Sequence, residues 1–436
     1  MSSNSDLPLN NRNNILIIGS GGREHAFGWK LSQSKYVKEI FYSPGNGGTS
    51  KNLSISSTNF QELRSFAQEK DCVVIIGPEA PLTKGIVDDF SSHNIRIFGP
   101  TKKASLLESS KAFAKKFMKE NNIKTSSFSI FSNHKEATEY IKSKEQPLVI
   151  KADGLAAGKG VIVCHDEHDA LSAIDDIMIK KIFGSAGDTV VIEDRIYGTE
   201  VSFIGFCDGN TVIPVATSQD HKRIFDNDNG PNTGGMGSFS PSPMITDELH
   251  HKIMNNIMIP TLKNMKKQNK EFKGFLYAGL MIEKDSTDPY VLEFNVRMGD
   301  PECQPIILRL QSDLYPYIDA AISGKLSSLP PLQWSPKKAV CVVMAANGYP
   351  NNYKKGDVIY GLDSKFDNNT VVFHAGTRLN QNNQIVTNGG RVLGVTSLGK
   401  DFSEAVQNVY SSVRYISWGN NDQHFRKDIG SKARLK

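Results

Sequence analysis

Four apolar runs of strand length divide the first hundred residues: Asn14–Ile18, Ile40–Tyr42, Cys72–Ile76 and Arg96–Phe98. Helical stretches at about 24–31, 60–70 and 83–92 separate them. Strands alternating with helices imply a parallel sheet with right-handed crossovers. Each run opens into a turn rich in glycine or proline: Gly19–Gly22, Ser43–Thr49, Gly77–Leu82 and Gly99–Pro100. Such sheets bind ligands at these C-terminal strand ends. Residues 13–106 therefore read as a Rossmann-like layer. A dinucleotide site is disfavoured. Glu24 stands where the glycine fingerprint needs its last glycine, and Ser43-Pro44 stands where an acidic residue should end the second strand.

At 436 residues the chain is too long for one ordinary core, and about three domains are expected. The helix Ser109–Glu120, with Phe113, Phe117 and Met118 on one stripe, leads into a second region over 107–328. Short strands and helices alternate there from 127 to 206. A loop rich in Asp, Asn and Gly covers 220–238, and loops of that length are usually functional or disordered. A helix at about 246–268 precedes a strand pair, Phe275–Glu283 and Tyr290–Asn295, joined across Asp285–Pro289. Ser328-Leu329-Pro330-Pro331 marks a boundary, and residues 332–436 read as a small α+β appendage.

A net charge of +5 suits anionic small-molecule substrates and does not argue for nucleic acid. The basic tail (Arg426, Lys427, Lys432, Arg434, Lys436) reads as solvated. The five cysteines are scattered with no Cys-x-x-Cys pair, which gives no zinc or redox signature and fits a reducing cytoplasm. The first 14 residues lack the apolar core of a signal peptide, and no apolar run is long enough to span a bilayer. A cytoplasmic enzyme is expected, a monomer or weak dimer that engages neither nucleic acid nor membrane.

Two segments carry the chemistry. Lys151 to Gly160 reads KADGLAAGKG, just after the apolar run Pro147–Ile150. Glycines let backbone amides approach an anion, and lysines neutralise it. It is not a P-loop, because no Ser or Thr follows the lysine in the required place. Glu293 to Glu302 reads EFNVRMGDPE. Its alternation puts Glu293, Asn295 and Arg297 on one face and Phe294 and Val296 on the other. Carboxylate and amide oxygens suit a hard cation such as Mg²⁺, and a guanidinium fork suits a carboxylate. Glu283, ending the neighbouring strand, is a candidate second ligand. Pro44–Thr49 is either a phosphate cradle or plain turn chemistry. Glu193 and Asp194 close an apolar strand and Glu200 lies six beyond; a carboxylate there could accept from ribose hydroxyls, and the backbone at Arg195-Ile196 could pair with an adenine edge. The run Asp220-His221-Lys222-Arg223 with Asn232–Gly237 points to substrate contact. An ATP-using ligase emerges from the pairing of a polyphosphate loop with a metal-holding strand.

These motifs together make the chain resemble the phosphoribosylamine–glycine ligase (glycinamide ribonucleotide synthetase) family of ATP-grasp enzymes, across essentially its whole length. One departure stands out, since the family usually has two glutamates where Glu193-Asp194 stands. The resemblance implies a fold of mixed α/β and α+β class: an N-terminal Rossmann-like sheet, an ATP-grasp central region whose part at 127–195 is a lid, and a small α+β C-terminal domain. It implies the single-function form and a reaction of purine biosynthesis, in which ATP, glycine and 5-phosphoribosylamine give ADP, phosphate and N1-(5-phosphoribosyl)glycinamide. By the same resemblance, ATP would be bound by Lys111, Lys151, Gly154, Ala157, Gly158, Lys159, Glu193, Ile196 and Glu200. Glu283, Glu293 and Asn295 would hold Mg²⁺ or Mn²⁺. Gly21, Gly22, Gly45, Asn46, Gly47, Gly48, Thr49, Glu79, Pro81, His221, Asn232, Thr233, Gly234 and Gly235 would contact substrates. Asp220, Lys222 and Arg297 would be catalytic. Two rivals remain: a biotin- or formate-dependent ATP-grasp ligase, and a silent ATP-binding regulator, against which the complete Glu293, Asn295 and Lys151 set speaks.

Overall fold

The computed structural model describes residues 12–156, 159–283 and 288–434. Strands β1 (Asn13–Gly19), β2 (Val37–Pro44), β3 (Cys72–Ile76) and β4 (Ile97–Phe98) form one sheet, in the order β2-β1-β3-β4, with every pair parallel. Ile15–Ile18 and Val73–Ile75 have no solvent exposure, as central strands covered on both faces require. The crossovers are α1 (Gly22–Leu31), α2 (Phe60–Glu69) and a pair, α3 (Glu79–Lys84) and α4 (Ile86–Ser92). The single helix expected over 83–92 is thus two. Gly85, at φ 92°, ends the first in a left-handed cap, and Glu79 opens a helix of its own just beyond β3.

Short α5 (Leu106–Ser109) and amphipathic α6 (Lys111–Glu120) lead into a small antiparallel unit. Its strands are β5 (Phe128–Phe131), β6 (Leu148–Ala152), β7 (Val161–Val163) and β8 (Val190–Asp194), in the order β5-β8-β6-β7. Helices α7 (His134–Lys142) and α8 (Glu167–Ile174) cover one face and close a core of Ile141, Ile150, Ile174, Val190 and Ile192 that belongs to this unit alone. A lid that moves as one body needs such a core.

Beyond β8 the chain passes through Arg195–Tyr197 into β9 (Gly198–Asp208) and β10 (Val212–Pro214). The Asp/Asn/Gly loop expected over 220–238 has structure of its own. It contains β11 (Gln219–Asp220), a hairpin of β12 (Arg223–Phe225) and β13 (Asn229–Asn232), and β14 (Gly237–Ser240). Helices α9 (Asp247–Ile253) and α10 (Ile259–Lys267) precede β15 (Lys273–Glu283) and β16 (Pro289–Asn295). The turn joining those strands falls on residues 284–287, outside the described residues. β9 and β15 pair over all eleven residues, and the antiparallel sheet runs β10-β9-β15-β16.

Helices α11 (Cys303–Arg309) and α12 (Leu314–Ser323) come next; the second ends at Gly324, as its sequence suggests. β17 (Lys338–Ala346), β18 (Ile359–Tyr360), β19 (Thr370–His374), β20 (Thr377–Leu379), β21 (Ile385–Thr387) and β22 (Arg391–Gly399) follow, with α13 (Phe402–Val413) and the short β23 (Ser417–Trp418) and β24 (Gln423–His424). The main C-terminal sheet runs β11-β14-β17-β22-β19. β14 pairs with β17 from Gly237↔Val342 to Ser240↔Ala339. The appendage expected beyond residue 332 therefore does not stand alone, because two strands of its sheet come from residues 219–240. The tail also departs from expectation: Arg426 is 0% exposed. Among the described residues no helix is long and apolar enough to cross a membrane.

Candidate functional site

A cavity of about 830 Å³ lies where the lid sheet, the β9–β15 sheet and the C-terminal sheet converge. Val149, Val161 and Val163 from the lid and Met281 and Leu292 from the core sheet give one end apolar walls of the kind a flat aromatic base fills. The connection Glu193–Ile196 edges that end. Of the residues singled out from sequence, the cavity wall contains Glu79, Lys111, Lys151, Gly154, Glu193, Ile196, Glu200, Asp220, Lys222, Asn232, Thr233, Gly234, Glu293, Asn295 and Arg297. They come from seven stretches of the chain, so this convergence is a property of the fold rather than of any one motif. Ala157 and Gly158 lie outside the described residues.

Beside the apolar end, Glu193 is buried among cations. Its Oε2 accepts from Lys115 Nζ at 2.7 Å and from Ser126 Oγ at 2.5 Å. Lys151 Nζ lies 2.8 Å from Oε1, close enough to pair charges though not aligned as a hydrogen bond, and donates to the Leu292 carbonyl at 3.0 Å. Burial would raise the Glu193 carboxyl; Lys151 and Lys115 reverse that and lower it. Lys115 is brought down to about 8, by burial first and by Lys151 second. The sequence reading missed it, although it sits one helical turn after Lys111 on α6, a spacing that places both on one face. Lys111 Nζ donates to the Gly154 carbonyl at 2.9 Å, tying α6 to the glycine loop.

Glu293 and Asn295 share one face of β16, as their alternation requires. Burial acts to raise the Glu293 carboxyl, but Lys222, Lys151, Lys111 and Arg297 hold it down at about 2. A charged carboxylate ringed by lysines fits a hard divalent cation shared with a polyphosphate. The Asn295 amide here turns its Nδ2 to Glu293 Oε1 at 3.5 Å and its Oδ1 to Arg297, so its oxygen joins a cation only by turning over. Glu283 does not join it. Gly279 is the residue opposite Glu293, so Glu283 lies four residues further along β15, about 13 Å at extended-strand spacing. It lines a separate groove with Asp194, Arg195 and Tyr290.

The Arg297 fork is not open to a substrate carboxylate. Nη2 donates to Glu108 Oε1 at 2.7 Å and to Asn295 Oδ1 at 2.9 Å, and Nε lies 3.5 Å from Glu79 Oε2. Burial would lower its pKa, and Glu108 and Glu79 outweigh that and raise it. The guanidinium is thus held between Glu108 and Asn295, with the Glu79 carboxylate close by. Glu108, which also accepts from the Val296 amide at 2.7 Å, is a second residue the sequence reading missed.

Strand alternation sorts the run at β11. Asp220 and Lys222 reach the cavity, where Lys222 pairs with Glu200. Burial raises the Asp220 carboxyl against the opposing charge of Lys222. His221, expected at the substrate, turns away instead: it is 1% exposed, packs edge-on to Phe239 at 5.9 Å, and is brought down to about 4 by burial and by Arg426. Thr233 donates to the Lys222 carbonyl through its amide at 2.7 Å and its hydroxyl at 2.9 Å. Arg391, unforeseen from sequence, lines the cavity and donates from Nη1 to the Gly234 and Asp300 carbonyls, each at 2.6 Å.

The remaining expected contacts fall off the cavity. All five amides of Gly45–Thr49 are engaged: Gly45 with the Gly19 carbonyl, Asn46 with Thr49 Oγ1, Gly47 with Thr377, Gly48 with Asn46 Oδ1 and Thr49 with the Asn46 carbonyl. This turn therefore offers no free donor to a phosphate. It docks the N-terminal sheet on the C-terminal one, with Asn46 Nδ2 reaching the His374 carbonyl at 2.8 Å. Gly21 and Gly22 are glycines because side chains press on them: a Cβ would come within 3.0 Å of Asp300 Oδ2 at Gly21 and 2.5 Å of Gln304 Nε2 at Gly22. Pro81 is buried in α3, and Gly235, at φ 112°, backs onto the Pro301 ring. Lys159 Nζ donates to the Pro350 carbonyl at 3.0 Å, away from the cavity.

Three family profiles match the chain in succession. They are phosphoribosylglycinamide synthetase N domain over residues 13–108, its ATP-grasp (A) domain over 109–303 and its C domain over 339–432. The chain is 50% identical over 425 residues to phosphoribosylamine–glycine ligase of Neisseria meningitidis serogroup B, covering 96% of this chain and 99% of that protein. The crystal structure of phosphoribosylamine–glycine ligase from Thermotoga maritima superposes with a TM-score of 0.83 at 32% identity, over 95% of this chain and 99% of that one. Biotin carboxylase from Campylobacter jejuni, at 15% identity and a TM-score of 0.72 over 97% of this chain and 95% of that one, shares the fold alone.

Proposed function

The chain belongs to the phosphoribosylglycinamide synthetase family, and from that membership and the chemistry of the cavity we propose that it ligates glycine to 5-phosphoribosylamine at the expense of ATP. The products are ADP, phosphate and N1-(5-phosphoribosyl)glycinamide, in a step of purine biosynthesis. One observation carries the reading: Glu293 lies in a single cavity under the field of Lys111, Lys151 and Lys222, while the same cavity extends to Glu79, Asp300 and Arg391. A site for polyphosphate and metal is thus continuous with one for a polar acceptor.

In this reading the base of ATP enters between Val163 and Met281, against the backbone of Glu193–Ile196. Glu200 exchanges Lys222 for the ribose hydroxyls. Glu293, with Asn295, would hold Mg²⁺ or Mn²⁺, which would supply neutralisation of phosphate charge. Lys111 and Lys151 do the same from the protein side, so that one anion, the glycine carboxylate, can attack the terminal phosphorus of another, ATP, breaking the P–O bond to ADP, which leaves. The resulting glycyl phosphate has a competent leaving group, which free carboxylate lacks. The acceptor amine then attacks its carbonyl carbon, the C–O bond to phosphate breaks, and the amine proton passes to a carboxylate. In this reading Asp220, which lines the cavity and whose carboxyl burial raises, takes that proton. Closure of the lid excludes water from the acyl phosphate.

The test is ADP release with glycine and phosphoribosylamine generated in the assay, against bicarbonate or formate as the alternative co-substrate. Turnover only with glycine and the amine is expected. Glu293→Ala should lower it by roughly 10²–10³-fold without loss of fold. Near-normal turnover of that variant would reject the metal assignment, and ADP release with bicarbonate alone would reject the reaction.

A further inference from the structure

We propose that Arg426 is a positioning residue, and that the C-terminal segment 424–432 is a strap that holds the β12–β13 hairpin in the shape the acceptor needs. The inference rests on the ligase reading above and deepens it at one end of the cavity. The hairpin carries Arg223, Asp228 and Asn232 onto the cavity wall. Its own short ladder gives that shape little support. Its pairing is irregular between Arg223 and Phe225, and its tip has two successive non-glycine residues in the left-handed region, Asn227 at φ 58° and Asp228 at φ 55°. Asn and Asp tolerate that region better than other side chains, and contacts from the surroundings of the tip select it.

The surroundings are the strap, which grips every residue from 223 to 228. Arg426 Nη1 donates to the Arg223 carbonyl at 3.1 Å and to Asp228 Oδ1 at 2.8 Å. His424 Nε2 pairs with the Ile224 carbonyl at 2.8 Å, and its ring stands edge-on to Phe225. The Lys427 amide donates to Asp226 Oδ1 at 2.8 Å, and Asp428 Oδ2 accepts from the Asn227 amide at 2.9 Å. Lys432 Nζ, itself on the cavity, reaches Asp228 Oδ2 at 2.5 Å. Arg426 is the centre of this set. Its Nε and Nη2 lie on Asp428 at 2.7 and 2.5 Å, so one fully buried guanidinium spans the hairpin and the strap. A lysine cannot reproduce that fork. The hairpin base is fixed from the other side, where Arg391 holds Gly234 against Asp300, the part of the cavity assigned above to the acceptor.

The test compares Arg426→Met, Arg426→Lys and Lys432→Met with the unaltered enzyme. Lys432 is half exposed, so its variant keeps the test alive if Arg426→Met does not fold. Arg426→Met is expected to raise the KM for phosphoribosylamine by about tenfold or more and leave the KM for ATP within about threefold, with Lys432→Met moving the same way by less. Arg426→Lys should rescue only in part. Trypsin should cut the Arg426 variants after Lys222 or Arg223 while the parent resists. A loss confined to kcat, with both KM values unchanged and the hairpin uncut, would overturn the strap and leave Arg426 as a stabilising residue only. If the unaltered enzyme shows no turnover with glycine and the amine, the ligase reading fails. Protease protection still decides whether the strap holds the hairpin.

Discussion

At the scale of single residues, the arrangement around Glu193 has the most direct consequence. One carboxylate neutralises one of two buried lysines, so the pair Lys115 and Lys151 leaves a surplus positive charge beside the place proposed for polyphosphate. Burial makes that surplus conditional, because Lys115 is brought down to about 8 from its ordinary 10.5. A bound polyanion favours the protonated amine, so the complex takes up a proton whenever the free enzyme has lost it. ATP affinity should therefore be flat below pH 8 and fall above it, by up to about tenfold per pH unit. Lys115→Met should weaken ATP binding by about tenfold at pH 7 and abolish the decline above pH 8. Calorimetric titrations at pH 7, 8 and 9 check both. A variant that keeps the parent's slope would assign the titration to another group.

At the scale of elements, what could be read from the sequence was whatever the backbone period decides locally. The runs at β1, β3, β6 and β16 announced themselves as strands, and alternation alone put Glu293 and Asn295 on one face. The same period separates His221 from Asp220 and Lys222, but a run this short hides its register until β11 is seen to pair with β14. Long-range partners were beyond reach. Nothing near Gly45–Thr49 reveals that Thr377, 330 residues away, takes up the Gly47 amide. Nothing in a basic tail says that Arg426 is buried on Asp228 and Asp428. The Gly45–Thr49 turn yields a prediction that separates its two readings. At Gly48 a Cβ would come 2.4 Å from His374 and 2.7 Å from His25, both on the seam between the N- and C-terminal sheets. Gly48→Ala should cost about 1–3 kcal/mol of stability through overpacking while the KM for phosphoribosylamine holds. Urea unfolding beside steady-state kinetics reads both. A raised KM with undiminished stability would restore the phosphate cradle.

At the scale of the whole molecule, the seams between regions are closed over neutral histidines, and this governs behaviour in acid. The His374 amide donates to His25 Nδ1 at 2.9 Å, which fixes the His25 proton on Nε2. Burial brings His25 down to about 3, with His374 adding, and brings His374 down to about 4. His221, between the hairpin and the strap, is down at about 4 for the same reason. Each folded value lies below the ordinary 6.5, so as pH falls through 6.5 the unfolded chain binds the proton and the folded one does not. Stability therefore rises with pH between about 4 and 6.5 and is lost on acidification, by about 1.4 kcal/mol per unit for each histidine. Asp220 and Glu108 run in the opposite direction, because burial raises their carboxyls and the folded state holds their protons longer. The total slope thus mixes both signs, and the histidine share is isolated only as a difference. His25→Asn, whose amide oxygen can still accept from the His374 amide, should unfold with a slope lower by about one proton between pH 6.5 and 4.5. Urea midpoints of parent and variant at pH 4.5, 5.5 and 6.5 measure it. Parallel curves would mean that this seam titrates no differently from the unfolded chain, and that the N-terminal and C-terminal sheets part in acid for some other reason.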